Sequence, residues 1–198
     1  MNFEENKPFH VYYRSNNIVF KTRDNYIYFL NKFRKYILPF ADVIAWCLMP
    51  DHFHFIIVPK ITAAGYVKEK HLPNTQVLSK QFGILLSSYT KAFNKQNNRK
   101  GSLFSHNTKA KILYEFIYGN KKEYISTCFK YIHNNPVKSN LVKRHQDWEF
   151  NSFNDYAGLR KGNLVNKSLA SDLINFDDDD FFAWSFIEIN DEDIKVIF

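Results

Sequence analysis

The segment Trp46-Cys-Leu-Met-Pro-Asp-His52-Phe-His54-Phe-Ile-Ile-Val-Pro59 constrains the fold of this chain more than any other. Two apolar runs, Asp42 to Met49 and His52 to Val58, are separated only by Pro50-Asp51. A two-residue link between strands makes an antiparallel hairpin. Successive side chains of a strand point to opposite faces, so His52 and His54 share one face while Phe53 and Phe55 share the other. The two imidazoles then stand roughly 7 Å apart at Cβ, close enough to converge on one divalent metal. Two protein nitrogens leave such an ion short of ligands, so a third must come from elsewhere and open positions remain for substrate. The alternative reading is structural, with each imidazole satisfied by a polar partner inside an apolar strand.

A chain of 198 residues fits one domain, or one domain with an appendage. Its hydrophobic content of 45% and aromatic content of 18% are ample for a core. Met1 to Lys7 is polar and acidic, unlike a signal peptide. No apolar run approaches the ~20 residues that span a bilayer. Cys47 and Cys128 lie far apart in apolar settings and read as reduced, packed thiols. The expectation is a cytoplasmic protein with no membrane partner.

Charge is unevenly spread. Residues 1–170 carry 26 Lys and Arg against 11 Asp and Glu, a net of +15, whereas residues 171–198 carry one Lys against nine acids, a net of −8. A body this basic favours a polyanion, nucleic acid first, although Lys-rich surfaces also serve solubility.

Phe9 to Arg14 alternates as a strand, Ser15-Asn16-Asn17 is a turn, and Ile18 to Phe20 reads as a short extension. Tyr26, Phe29, Leu30, Phe33, Tyr36 and Ile37 fall at helical spacing within Thr22–Leu38, with Thr22 or Asp24 as N-cap and Pro39 as terminator. Residues 60–75 read as a loop containing Gly65 and Pro73. Gln76 to Asn94 is an amphipathic helix, with Val77, Phe82, Ile84, Leu85, Tyr89 and Phe93 packed. A basic turn over residues 96–101 leads to a strand region in Ser102–Phe104 and Lys109–Leu113. A third helix runs from Lys121 to His133, with Ile125, Cys128, Phe129 and Ile132 inward, and Pro136 stops it soon after. Strand, helix, strand, strand, helix, strand is the split βαβ order of an α+β, ferredoxin-like or RRM-like antiparallel sheet with helices packed on one face. The other face is left for a ligand, and the third helix must approach that face to take part in chemistry.

That helix ends in Tyr131-Ile-His-Asn-Asn135-Pro-Val-Lys138, and residues four apart share a helix face. Asn135 offers an amide oxygen suited to Mg²⁺ or Mn²⁺. Tyr131 offers a phenol, a poor nucleophile until a base or cation eases its ionisation. The structural alternative makes Tyr131 a packed aromatic and Asn135 a cap ahead of Pro136.

Met49-Pro-Asp-His-Phe-His54, followed far along the chain by Tyr131-Ile-His-Asn-Asn-Pro-Val-Lys138, resembles the REP-associated tyrosine transposases of the single-tyrosine HUH class. Phe9 to Arg14 with Asn16-Asn17, Lys100-Gly-Ser-Leu-Phe104, and Asp147 to Gly158 resemble further segments of that family, in the same order. The resemblance covers residues 8–160, and it implies a transposase domain over 1–160 with an acidic, aromatic C-terminal extension over 161–198. It also implies metal-dependent cleavage of single-stranded DNA beside a hairpin. His52, His54 and Asn135 would hold Mg²⁺ or Mn²⁺, and Tyr131 would be the nucleophile that forms a 5′-phosphotyrosine. The protein would act as a monomer or homodimer. Arg14-Ser15 and Ser105-His106-Asn107-Thr108 depart from the family's strings at positions that can touch DNA.

Arg14, Arg99, Lys100, Lys109, Lys111, Lys121, Lys122, Lys130 and Lys138 are candidate phosphate contacts flanking the two halves of the site. Tyr12, Tyr13 and Phe104 can stack bases or be buried. His106 and His133 have either a site or a surface role. Beyond residue 160, Asp177–Asp180 and the aromatic run from Phe181 either dock on the basic body and hinder DNA entry or form a packed appendage. A HIT-type nucleotide hydrolase would require His-x-His-x-His, and the third position here is Ile56. A non-catalytic single-strand nucleic-acid-binding module derived from a transposase is the non-enzymatic alternative.

Overall fold

The computed structural model describes residues 2–15, 17–68, 74–104, 108–113, 121–174, 181–187, 189 and 194. Asn16, Pro73, Ser105, His106, Asn107, the run Asp177–Asp180 and most of the terminal Ile194–Phe198 segment lie outside the described residues, as do the side chains of Lys121 and Lys122.

Among the described residues, four strands, β1 (Phe9–Arg14), β2 (Ala41–Leu48), β3 (His52–Pro59) and β4 (Lys109–Ile112), form one sheet in the order β2-β3-β1-β4. Every neighbouring pair is antiparallel. Helix α1 (Arg23–Tyr36) connects β1 to β2, and α2 (Val77–Gln96) connects β3 to β4. This is the α+β, ferredoxin-like arrangement expected from the element order.

The amide N–H groups of Met49 and His52 each bond the other residue's carbonyl, at 2.8 and 3.3 Å, and so close the hairpin around Pro50-Asp51. The turn is fastened to the β1–α1 connection. Pro50 C=O accepts from Val19 and Phe20 N–H, and Asp51 C=O accepts from Ser15 N–H. Ile18–Phe20 therefore serves as a strap over the hairpin turn rather than as an extension of β1.

Alternation divides the sheet into two faces. Phe9, Val11, Tyr13, Phe53, Phe55 and Ile57 meet Tyr26, Phe29, Leu30 and Phe33 of α1 and Leu78, Phe82, Leu85, Tyr89 and Phe93 of α2 in the larger core. Rings interlock there, with Phe33 stacked on Phe55 at 4.1 Å between centroids and Phe29 tilted against Phe53 at 5.4 Å. The buried stripe of α2 starts at Leu78, not Val77, and Ile84 is only half-buried. The N-terminus of α1 is held by Asn25 Oδ1, which accepts from the N–H groups of Lys21 and Thr22.

The opposite face carries a second apolar core. A β-bulge between Val43 and Ala45 leaves Ile44 and Ala45 both on this side, with Cys47, Met49, Ile56 and Val58. Helix α3 (Lys121–Lys138) packs here through Ile125, Cys128, Phe129 and Ile132. It continues through Pro136 to Lys138, one turn beyond the expected stop. The next backbone N–H groups still bond back, Ser139 to Asn135 and Leu141 to Pro136, and Asn140 takes φ 54° to end the helix. Of the two segments expected to form the last strand, Lys109–Ile112 does so and Ser102–Phe104 does not. Short helices α4 (Phe153–Tyr156), α5 (Lys167–Leu173) and α6 (Phe181–Phe186) complete this core through Phe153, Ala170 and Phe181, with Ile174 following α5. Phe181 and Trp184 thus pack on α3 against Phe129. Among the described residues, no helix is long and apolar enough to cross a membrane.

Candidate functional site

Strand register assembles one side of the site. Tyr12 stands opposite His54 and Arg14 opposite His52, so His10, Tyr12 and Arg14 line the same face of the sheet as the two histidines. The His52 and His54 rings meet edge-on, with centroids 5.1 Å apart. Both are buried, at 7% and 3% exposure. Helix α3 supplies the other side. The Tyr131 ring stands perpendicular to His54 with centroids 5.5 Å apart. One turn on, the Asn135 side chain lies beside both His52 and Tyr131, close enough to act on the ionisation of each. Asn135 Nδ2 is buried and makes no hydrogen bond among the described residues.

Each histidine is held by a different partner. His52 Nδ1 lies 2.6 Å from Asp51 Oδ1. A carboxylate only accepts, so Nδ1 donates and the lone pair of neutral His52 sits on Nε2. His54 Nδ1 lies 2.9 Å from His10 Nε2, and the two rings stack at 5.1 Å. Burial lowers the pKa of His52, against the opposing pull of Asp51. Burial lowers that of His54 well below the ordinary value, and the neighbouring His10, His52 and Arg14 act in the same direction. Both rings are therefore neutral near pH 7 and able to donate lone pairs. Burial raises the Tyr131 phenol above its ordinary pKa, and the contact with Asn135 partly offsets this.

Two imidazoles and an amide oxygen suit a first-row divalent ion or Mg²⁺ with open positions. Among the described residues, no group of three or more His, Cys, Asp or Glu is arranged to hold a metal. A metal held by His52 and His54 would therefore need Asn135 as its third protein ligand.

Helix α3 is clamped from behind. His133 Nε2 bonds Ser152 Oγ at 2.7 Å, and Asn134 Oδ1 meets His145 Nε2. Ser152 also fixes β2, since its hydroxyl accepts from Trp46 N–H at 3.0 Å and its N–H donates to Trp46 C=O at 2.9 Å. His133 thus has a buried anchoring role on the far side of the helix from the site.

The basic residues fall in three places. Arg14, Lys109 and Lys111 border the site face, with Lys109 opposite Tyr12 and its Nζ 5.8 Å from that ring. Lys130 lies along α3 with its Nζ 4.3 Å from the Trp184 ring, and Lys138 is exposed at the helix end. Arg99 and Lys100 follow α2, where the Arg99 guanidinium donates to Asn94 Oδ1 and Ser102 C=O and shapes the turn. Of the aromatic candidates only Tyr12 faces the site. Tyr13 and Phe104 pack edge-on at 4.8 Å in the larger core.

Sequence reasoning does not single out His10 or Asp51. In sequence, Asp51 reads only as a turn residue. His10 carries a usable signal, because it alternates with Tyr12 and Arg14 and must share their face once β1 pairs with β3.

No family model and no curated protein matches the chain. Among solved structures it is similar to one described as a REP-associated tyrosine transposase bound to a REP hairpin, with 17% identity, a TM-score of 0.50, and coverage of 84% of this chain and 92% of that one. The fold of this chain is therefore the fold of that transposase.

Proposed function

We propose that this protein is a divalent-metal-dependent transesterase that cleaves and rejoins single-stranded DNA beside a hairpin, with Tyr131 as nucleophile. The observation that carries this reading is the meeting of Tyr131 and Asn135 from α3 with His52 and His54 from β3 on one face of the sheet. The similar transposase is described as bound to a REP hairpin, and a hairpin-bearing strand is the matching substrate here.

His52, His54 and Asn135 would hold Mg²⁺ or Mn²⁺, which when bound polarises the scissile phosphate and offsets developing charge. The Tyr131 phenol gives up its proton as its oxygen attacks phosphorus. The P–O3′ bond breaks, the 3′ oxygen leaves as a hydroxyl, and the 5′ phosphate stays on Tyr131. Attack by another 3′-hydroxyl reverses these steps, and no ATP is required because the phosphotyrosine keeps the phosphodiester linkage. The buried site face limits competition from water for that bond. Arg14, Lys109, Lys111, Lys130 and Lys138, with Arg99 and Lys100 farther along, supply phosphate contacts that position the strand.

A non-catalytic single-strand-binding module is the second reading. One observation favours it, namely that burial makes the Tyr131 phenol harder to ionise. Hairpin-bearing single-stranded oligonucleotides from the DNA flanking the gene, incubated with Mg²⁺ or Mn²⁺, separate the two. A protein–DNA adduct that survives denaturation in wild type and is absent in Tyr131→Phe supports the transesterase. Tight binding without an adduct supports the module.

A further inference from the structure

We infer that His10 is a positioning residue that fixes the tautomer of His54 and so completes the metal site. This rests on the reading of His52, His54 and Asn135 as ligands. His52 and His54 both have Nδ1 engaged, at 2.6 Å by Asp51 and at 2.9 Å by His10. The Asp51 contact forces the His52 proton onto Nδ1, because a carboxylate has no proton to give. The His10 contact has the same outcome when His54 Nδ1–H donates to His10 Nε2. Both histidines then offer the same nitrogen, Nε2.

The two partners differ in a way that burial explains. Asp51 has a partly exposed side chain, at 35%. His10 is fully buried, and a carboxylate there would carry a large desolvation cost that a neutral imidazole acceptor avoids. Stacking on Tyr12 at 4.7 Å fixes the plane of the His10 ring. The cross-strand partner of His10 is Ile56. The third histidine of this face thus comes from β1, at the level where a His-x-His-x-His strand would have placed it on β3, and it serves a ligand rather than acting as one. Such outer hydrogen bonds orient ligating histidines and raise their basicity.

The test uses the full chain without DNA. Mn²⁺ binding is followed by the electron paramagnetic resonance of the free ion, and the His54 tautomer by imidazole ¹⁵N chemical shifts in EDTA. The variants are His10→Leu, His10→Gln, whose amide oxygen reaches the place of Nε2, and His10→Asn, whose amide stops short of it. Expected are a His54 proton on Nδ1 in wild type, Mn²⁺ binding about 10- to 100-fold weaker in His10→Leu and His10→Asn, and near wild-type binding in His10→Gln. Should His10→Leu fail to fold, the contrast between Gln and Asn decides. A His54 proton on Nε2 in wild type, or Mn²⁺ binding insensitive to these substitutions, overturns the inference and leaves the metal reading standing. Wild-type protein that binds no Mn²⁺ overturns the metal reading itself and the inference with it.

Discussion

Replacing His133 by Gln should remove a large part of this protein's sensitivity to mild acid. His133 is fully enclosed on α3, bonded to Ser152 Oγ at 2.7 Å and edge-on to the Phe129 ring at 4.3 Å. Burial, reinforced by the neighbouring His145, pushes its pKa down to about 3. An unfolded chain would titrate it near 6.5. A folded value below the unfolded one means that the unfolded state binds more protons between those limits. Stability is therefore complete above about pH 6.5 and falls as pH drops toward 3. Integrated from pH 7 to pH 5, this single group costs about 2 kcal/mol. For a chain of this size that is roughly 4–8 °C in Tm. His52, His54 and His145 are shifted in the same direction, so the wild-type loss exceeds this figure. Gln keeps a donor for Ser152 and cannot titrate. The assay is urea unfolding in EDTA at pH 7 and pH 5 for both proteins. The variant should lose about 2 kcal/mol less than wild type on acidification. Equal losses would refute the argument that a buried neutral His133 couples the fold to pH.

Three other expectations follow from packing and charge. Phe181→Ala removes a ring that meets Tyr156, Phe153 and Phe129 at 5.8, 5.3 and 6.3 Å, and should destabilise by about 3–5 kcal/mol in urea unfolding. A Cβ on Gly162 would overlap the Asp155 carboxylate, which is buried and held by Arg160, so Gly162→Ala should cost about 1–3 kcal/mol in the same assay. Arg14→Ala with Lys109→Ala should weaken single-strand binding and lower the slope of log affinity against log salt by about 1.4, because two phosphates are no longer neutralised. An unchanged slope would place the strand elsewhere.

The β2–β3 hairpin was legible because alternation and a two-residue turn are local signals. The shared face of His52 and His54 followed from the strand period alone. The position of α3 was not legible, because an amphipathic helix states which side is apolar and not which sheet face covers it. The bulge at Ile44 was hidden in a run apolar at nearly every position, where one extra residue changes no visible pattern. Pro136 suggested a stop, yet a proline in the last turn removes one backbone bond while later N–H groups still find carbonyls. Alternation with Tyr12 and Arg14 marks the face of His10, but its contact with His54 was not legible, because it depends on β1 pairing with β3, distant in sequence.

The two cores have different tasks. The aromatic core between sheet and α1–α2 fixes the strands, and with them the spacing of His52, His54 and His10. The second core fixes α3 against the opposite face, and with it Tyr131 and Asn135. Ser152 links the two layers, since one hydroxyl meets both His133 on α3 and the backbone of Trp46 on β2, which pairs with the histidine strand. The distance from phenol to imidazole is thus determined by contacts behind the helix as much as by those in front of it. A nucleophile must be held to within a fraction of an ångström for in-line attack. His145, Ser152, Tyr156, Phe181 and Trp184, none of them a proposed catalytic group, are therefore part of what positions Tyr131.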